Sequence, residues 1–134
     1  MSRRAPSPAA GFSRDIRDIR VKLDAELKRQ PDGSYQLMID ATIDPSRLAL
    51  AVENGEHVGA IDILLVCADQ KGLVIAQNYQ RAVLKFNEDV WQKVAKSGIP
   101  YRVHIEVNAG ARQVRLIVYD YGADLVGRAD ARVF

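Results

Sequence analysis

Gly110-Ala-Arg-Gln-Val-Arg-Leu-Ile-Val-Tyr-Asp120 decides how this chain is to be read. After the glycine, Val114, Leu116 and Val118 alternate with Gln113, Arg115, Ile117 and Tyr119, so one face is wholly apolar and the other amphipathic. That period of two, with apolar residues also on the second face, predicts a central strand of a packed sheet.

Working outward, the same alternation recurs. Ile19, Val21, Leu23, Ala25 and Leu27 alternate with charged residues, and Pro31-Asp32-Gly33 turns the chain into Tyr35, Leu37, Ile39, Ala41 and Ile43, which predicts a hairpin. Asp44-Pro45 breaks that ladder, because proline has no N–H to donate. A short run through Leu48, Leu50 and Val52 follows, and Asn54-Gly55, a strong hairpin signal, leads into a strand over Val58 to Ala68. This strand is apolar on both faces from Ile63 to Val66, and so it is expected to be central. Leu73 to Gln77 and Arg81 to Phe86 read as two edge strands separated by a polar kink at Asn78-Tyr79-Gln80.

One segment has helical spacing. Asn87 is a capping residue, Glu88 and Asp89 suit the positive end of a helix, and Val90, Trp91, Val94 and Ala95 fall on one stripe before Gly98. A helix this short needs tertiary support, most simply Trp91 packed across an open end or edge of the sheets. Strands then resume with Tyr101, Val103, Ile105 and Val107 inward, and after the organising strand Ala129, Ala131 and Val133 close the domain. About eight short strands at intervals of roughly ten residues, with one short helix, predict an all-β sandwich or barrel, of which the sandwich is preferred.

The 134 residues, 48% hydrophobic and 27% charged, suit one domain, placed at residues 17 to 134. Residues 1 to 16 hold Pro6, Pro8 and Gly11 without periodicity and are expected to be a flexible leader or linker. The net charge is +2, but the first twenty residues carry five Arg and two Asp, which leaves the body close to neutral. A nucleic-acid binder would show a clustered basic stripe, so that class is disfavoured. No apolar run approaches the roughly 18 residues that span a bilayer. Met-Ser-Arg-Arg is followed by no hydrophobic segment, so no secretory or twin-arginine signal is expected.

The second half resembles the C-terminal, immunoglobulin-like domain of bacterial von Willebrand factor A-related proteins. The likeness rests on Gly110, on Val114-Arg115-Leu116-Ile117-Val118-Tyr119-Asp120 and on Val126-Gly127, and it extends to Gly98-Ile99-Pro100-Tyr101, Gly59-Ala60-Ile61-Asp62-Ile63 and Asp44-Pro45. One departure stands at Arg112, where an aromatic residue often makes a tyrosine-corner contact. The resemblance implies an accessory module beside an adhesion-type domain in an exported bacterial protein, hence an extracytoplasmic location.

Catalytic chemistry has few candidates. His104 should face solvent, His57 lies beside a hairpin, and neither has a His or Cys at metal-ligand spacing. Cys67, the single cysteine, sits in an apolar strand, where its thiol pKa should rise and the group stay inert. No phosphate-binding, serine-nucleophile, zinc-protease or EF-hand motif occurs. No cofactor is expected, and an enzyme is the remotest reading.

Two binding readings remain. If the segment Asp44 to Val58 and the turn Asp120 to Asp124 emerge at one end, Glu53, Glu56, His57, Asp120 and Asp124 share a neighbourhood, and such oxygen ligands would suit Ca²⁺ or a glycan-binding accessory site. Alternatively, Ile117, Tyr119 and Tyr121, extended by Leu64 and Val66, form an outward apolar patch. A patch of that kind marks a protein partner, a homodimer contact, or a cover supplied by the chain's own helix or leader.

Overall fold

A computed structural model describes residues 18 to 133, and the expected leader, residues 1 to 16, lies outside the described residues. The chain forms β1 (Val21–Arg29), β2 (Tyr35–Ile43), β3 (Ala51–Glu53), β4 (Glu56–Ala68), β5 (Val74–Phe86), α1 (Glu88–Ser97), β6 (Ile99–Val107), β7 (Gln113–Asp120) and β8 (Leu125–Arg132). These make two antiparallel sheets, one of three strands in the order β1-β2-β6 and one of five. In the larger sheet β5 pairs along one side of β4, while β3 and β7 share its other side and β8 lies beyond β7. The fold is the expected all-β sandwich with one short helix.

The core lies between the two sheets and follows from the alternation. Leu37, Ile39, Ala41 and Ile43 of β2 meet Ile61, Ile63, Leu65 and Cys67 of β4 and Val114, Leu116 and Val118 of β7, all at most 2% exposed. Burial pushes the Cys67 thiol up, so its neutral form is favoured. The outer face of the smaller sheet is polar: Lys22, Asp24, Glu26, Asp40, Arg102, His104 and Glu106 are all exposed there.

Turn chemistry sets the registers. Asn54 and Gly55 both take positive φ, 50° and 78°, as a two-residue hairpin with the right twist requires, and Glu53 pairs with Glu56 across it. At the corner before β7, where an aromatic is missing, the guanidinium of Arg112 closes the bend instead. Its Nη1 donates to the carbonyls of Ala109 at 2.8 Å and Ala111 at 2.7 Å.

Four boundaries differ from the sequence expectation. The two edge strands around Asn78-Tyr79-Gln80 are one continuous strand, because those residues stay in the ladder opposite Leu65, Leu64 and Ile63, and the irregularity falls at Cys67/Ala68 instead. Of the run beginning at Leu48, only Ala51–Glu53 is strand, and Leu48 and Leu50 pack against the core as loop residues. Ile19 precedes β1: its N–H donates to the Val126 carbonyl at 3.2 Å, tying it to β8. The last strand starts at Leu125 rather than Ala129, since Asp120 pairs with Leu125 directly after the turn.

Candidate functional site

The two sheets differ on their outer faces. Where the smaller sheet shows charge to solvent, the larger one presents three rungs built by register. Tyr79, Leu64, Ile117 and Arg128 form the first, Arg81, Asp62, Tyr119 and Val126 the second, and Gln77, Val66, Arg115 and Asp130 the third. Leu64 and Ile117 therefore sit side by side, as an outward patch requires, with Val66 half-buried beside them. A shallow depression of about 730 Å³ lies over this part of the face, lined among others by Leu64, Val66, Gln77, Arg115 and Ile117.

The second rung carries a charge within the apolar stretch Ile61 to Cys67 of β4. Asp62 is 4% exposed, and a carboxylate so buried must be paired. Its Oδ1 accepts from the Tyr79 hydroxyl at 2.8 Å and from Arg81 Nε at 2.9 Å, and Oδ2 accepts from Arg81 Nη2 at 3.3 Å. Burial works to raise the carboxyl pKa, but the Arg81 and Tyr79 hydrogen bonds outweigh it and hold Asp62 below the usual carboxylate range. The same contacts push the Tyr79 hydroxyl up and keep Arg81 charged.

The Arg81 guanidinium also lies 5.3 Å from the centre of the Tyr121 ring. Tyr121 meets Tyr119 edge-on with centroids 4.5 Å apart, and the Tyr119 hydroxyl donates to Asp124 Oδ1 at 2.7 Å. Of the expected patch, Ile117 and Tyr119 are buried at 4% and 1% exposure, whereas Tyr121 is exposed. Tyr119 is thus a structural member of the cluster, not part of an accessible surface. Beside Tyr121 the accessible aromatic is Tyr79, joined on the outer face of β5 by Val83. The sequence signal for this cluster was the lone acid inside Ile61-Asp62-Ile63-Leu64-Leu65-Val66, a charge in a strand apolar on both faces.

The helix does not lie over this patch. It packs against β4 and β5 at their His57 and Phe86 ends: the Trp91 and His57 rings stack with centroids 4.4 Å apart, Phe86 is 6.3 Å from Trp91, and Val94 is buried in the core. Asn87 caps it by accepting the Val90 N–H at 2.8 Å. It closes the end of the sandwich, as the position of Trp91 predicts.

The segment Asp44 to Val58 and the turn Asp120 to Asp124 do meet, but their acids do not converge. Asp120, 2% exposed, accepts the Ala49 N–H on Oδ2 at 2.7 Å and the Gly122 N–H on Oδ1 at 2.9 Å, so it ties the loop to the turn. Glu56 lies 3.6 Å from Lys85 Nζ, His57 pairs with Glu88 at 3.2 Å, Asp124 receives the Tyr119 hydroxyl, and Glu53 stands exposed in β3. Among the described residues no group of three or more His, Cys, Asp or Glu is arranged to hold a metal ion. His104 is exposed on the outer face of β6.

No protein-family model and no curated protein matches the chain. Among solved structures it is similar to the solution structure of R. palustris CsgH, at 13% identity and a TM-score of 0.44, with 85% of this chain and 91% of that chain covered.

Proposed function

We propose that this domain is a non-catalytic protein-interaction module that meets its partner through the outer face of the five-stranded sheet. The observation that supports this most is the contrast between the two outer faces. One carries the alternating charge of a solvated sheet, and the other sets Tyr79, Arg81 and Tyr121 around a buried, fully paired Asp62 beside an apolar surface. Tyr and Arg on an apolar ground are the residues that dominate protein interfaces. The charges on this face are largely paired within it, Arg81 with Asp62 and Arg115 and Arg128 with Asp130, which suits a neutral protein surface better than a polyanion. An accessory role beside a von Willebrand factor A-type domain, in an exported protein, is the form of this function that the sequence resemblance implies.

Site-specific photo-crosslinking in the cells that make the protein tests the proposal. A crosslinker at Val83, on the outer face of β5, should trap one discrete partner, which Tyr121→Glu abolishes, and a crosslinker at His104 on the opposite face should trap none. Equal labelling from both positions, or none from Val83, would refute the assignment of the face.

A further inference from the structure

The smaller sheet ends in β1, which pairs with β2 on one side only. Beyond the Ile19 contact to β8, its other edge makes no backbone hydrogen bond among the described residues. Its inward row, Val21, Leu23, Ala25 and Leu27, is only half-buried, whereas the matching row of β2 is at most 2% exposed. This edge runs beside β8 without backbone pairing beyond Ile19 among the described residues, and a groove of about 1170 Å³ there is lined by residues 19 to 23 of the edge, 128 to 130 of β8, Thr42, Asp44 and Ser46, and residues 95 to 98 at the end of α1. An edge in this state is a template for another strand.

The outward row of β1 says which strand. Arg20, Lys22, Asp24 and Glu26 are exposed, and among the described residues no ion pair engages any of them. Asp24 stands directly opposite Asp40 of β2, a like-charge pair that favours a cation on its free side. Two copies of β1 set antiparallel about a twofold axis at Leu23 place Arg20 of each copy opposite Glu26 of the other, and Lys22 of each opposite Asp24 of the other. All four cross-strand pairs have opposite charge. The inward rows then align as well, Leu23 with Leu23 and Val21 with Ala25, so the apolar face continues across the junction.

Neighbouring registers lose this match. Centring on Ala25 sets Lys22 against Lys28 and Asp24 against Glu26, and centring on Asp24 sets that residue against itself. Centring on Leu27 keeps only the Glu26 and Lys28 pairs. The other outer strands lack the property: β3 is three residues long, β5 carries Arg81 and Lys85 with no acid, Arg102 of β6 is already bonded to Asp40 at 3.4 Å, and on β8 Asp130 is already paired with Arg115 and Arg128. Edge charges normally deter pairing, but this row of mixed sign favours one register over its neighbours.

We propose that the chain forms a twofold dimer by antiparallel pairing of β1 with β1 of a second copy, in the register centred on Leu23, which joins the two smaller sheets into one of six strands. The contact is centred on β1, away from Tyr79, Arg81 and Tyr121, although Arg128 and Asp130 border both surfaces, and the Lys22→Asp and Tyr121→Glu variants read the dimer and the partner interaction proposed above separately.

The test is light scattering of the full chain from micromolar to millimolar concentration, with circular dichroism to confirm that every variant is folded. Wild type should reach twice the monomer mass, and rising ionic strength should weaken the association. Lys22→Asp should halve the mass by setting acid against acid. Lys22→Asp with Asp24→Lys should restore the dimer, because the exchanged charges match again across the twofold axis. Mixing Lys22→Cys with Asp24→Cys protein under oxidation should give a disulfide-linked heterodimer that neither forms alone, while buried Cys67 stays silent. A wild-type monomer throughout the range overturns the inference, as does a dimer indifferent to Lys22→Asp. Failure of the double exchange to restore mass overturns the register.

Discussion

The carboxylate of Asp62, buried in β4, is gripped by Arg81 from the adjacent strand through Nε at 2.9 Å and Nη2 at 3.3 Å, while the arginine side chain remains 54% exposed. The pair thus joins a buried charge to an accessible one, and it does so in the middle of the face on which the proposed function rests. Removing Arg81 would leave Asp62 with the Tyr79 hydroxyl alone. Arg81→Leu is therefore expected to destabilise the fold, read as a lowered denaturant midpoint, because the buried carboxylate loses its charged partner.

The pH dependence of the same pair has a definite sign. The folded-state pKa of Asp62 is depressed, so its contribution is complete above the ordinary carboxylate value near ~4 and is lost as pH falls through the lower folded value. Tyr79 works at the other limit: its raised pKa favours the folded state up to about pH 10, and that advantage disappears as pH rises through the folded value. Thermal melts across pH should show Asp62→Asn with a flatter acid limb than wild type and Tyr79→Phe with a flatter alkaline limb. Parallel profiles would mean that other groups control both limbs.

Asp120 is expected to act as a tether and not as a cation ligand. Its two oxygens accept the N–H groups of Ala49 and Gly122, and removing them leaves both donors without that acceptor. Asp120→Ala should cost about 2 to 3 kcal/mol and speed amide exchange at Ala49, with a smaller cost for Asp120→Asn, which keeps one acceptor. Millimolar Ca²⁺ should leave the melting temperature of wild type unchanged, since a ligand bound only by the folded state must raise it. A rise of several degrees, removed by Asp120→Asn with Asp124→Asn, would restore the metal-binding reading.

Trp91 holds α1 to the end of the sandwich through its stack on His57, yet the indole is only half-buried. Trp91→Ala should therefore cost about 2 to 3 kcal/mol, below the range for a fully buried tryptophan, with the loss concentrated in the exchange rates of residues 88 to 97. An unchanged denaturant midpoint would show that Val94 alone anchors the helix.

The sandwich was legible because each long strand has its own period-two row: Leu37 to Ile43 and Val114 to Val118 are buried where the alternation puts them. The helix was legible from its cap, its acidic first turn and Gly98, whose φ of 92° suits glycine. The face proposed to bind was only partly so. Ile117 beside Leu64 follows from parity, but the accessible residues Tyr79 and Val83 fell in a segment read as broken, because Asn78 and Gln80 weaken its apolar pattern. What holds that segment in line is pairing with β4 over its whole length, together with the Tyr79 bond to Asp62, and neither is a local property of the sequence. The acids of the expected cation site failed for a related reason. The expected strand order placed their loops at one end, but their partners, Ala49, Gly122, Lys85 and Tyr119, lie on different elements.

Gly127 controls how the chain enters the sandwich. It faces inward on β8 opposite Val118, and a Cβ there would stand 2.9 Å from the Ile19 Cβ and closer still to the Ile19 carbonyl oxygen. Those atoms belong to backbone and to a branched side chain that is 1% exposed, so neither yields cheaply. Gly127→Ala should then push Ile19 away from β8 and strain its hydrogen bond to the Val126 carbonyl, now 3.2 Å long. The expected cost is about 2 kcal/mol, or roughly 8 °C in melting temperature for a domain of this size, with faster exchange at the Ile19 amide. Because Ile19 leads directly into β1, the same variant should also loosen the first residues of that edge strand. If Gly127→Ala melts with wild type, the approach of Ile19 to β8 is not what fixes the start of the fold.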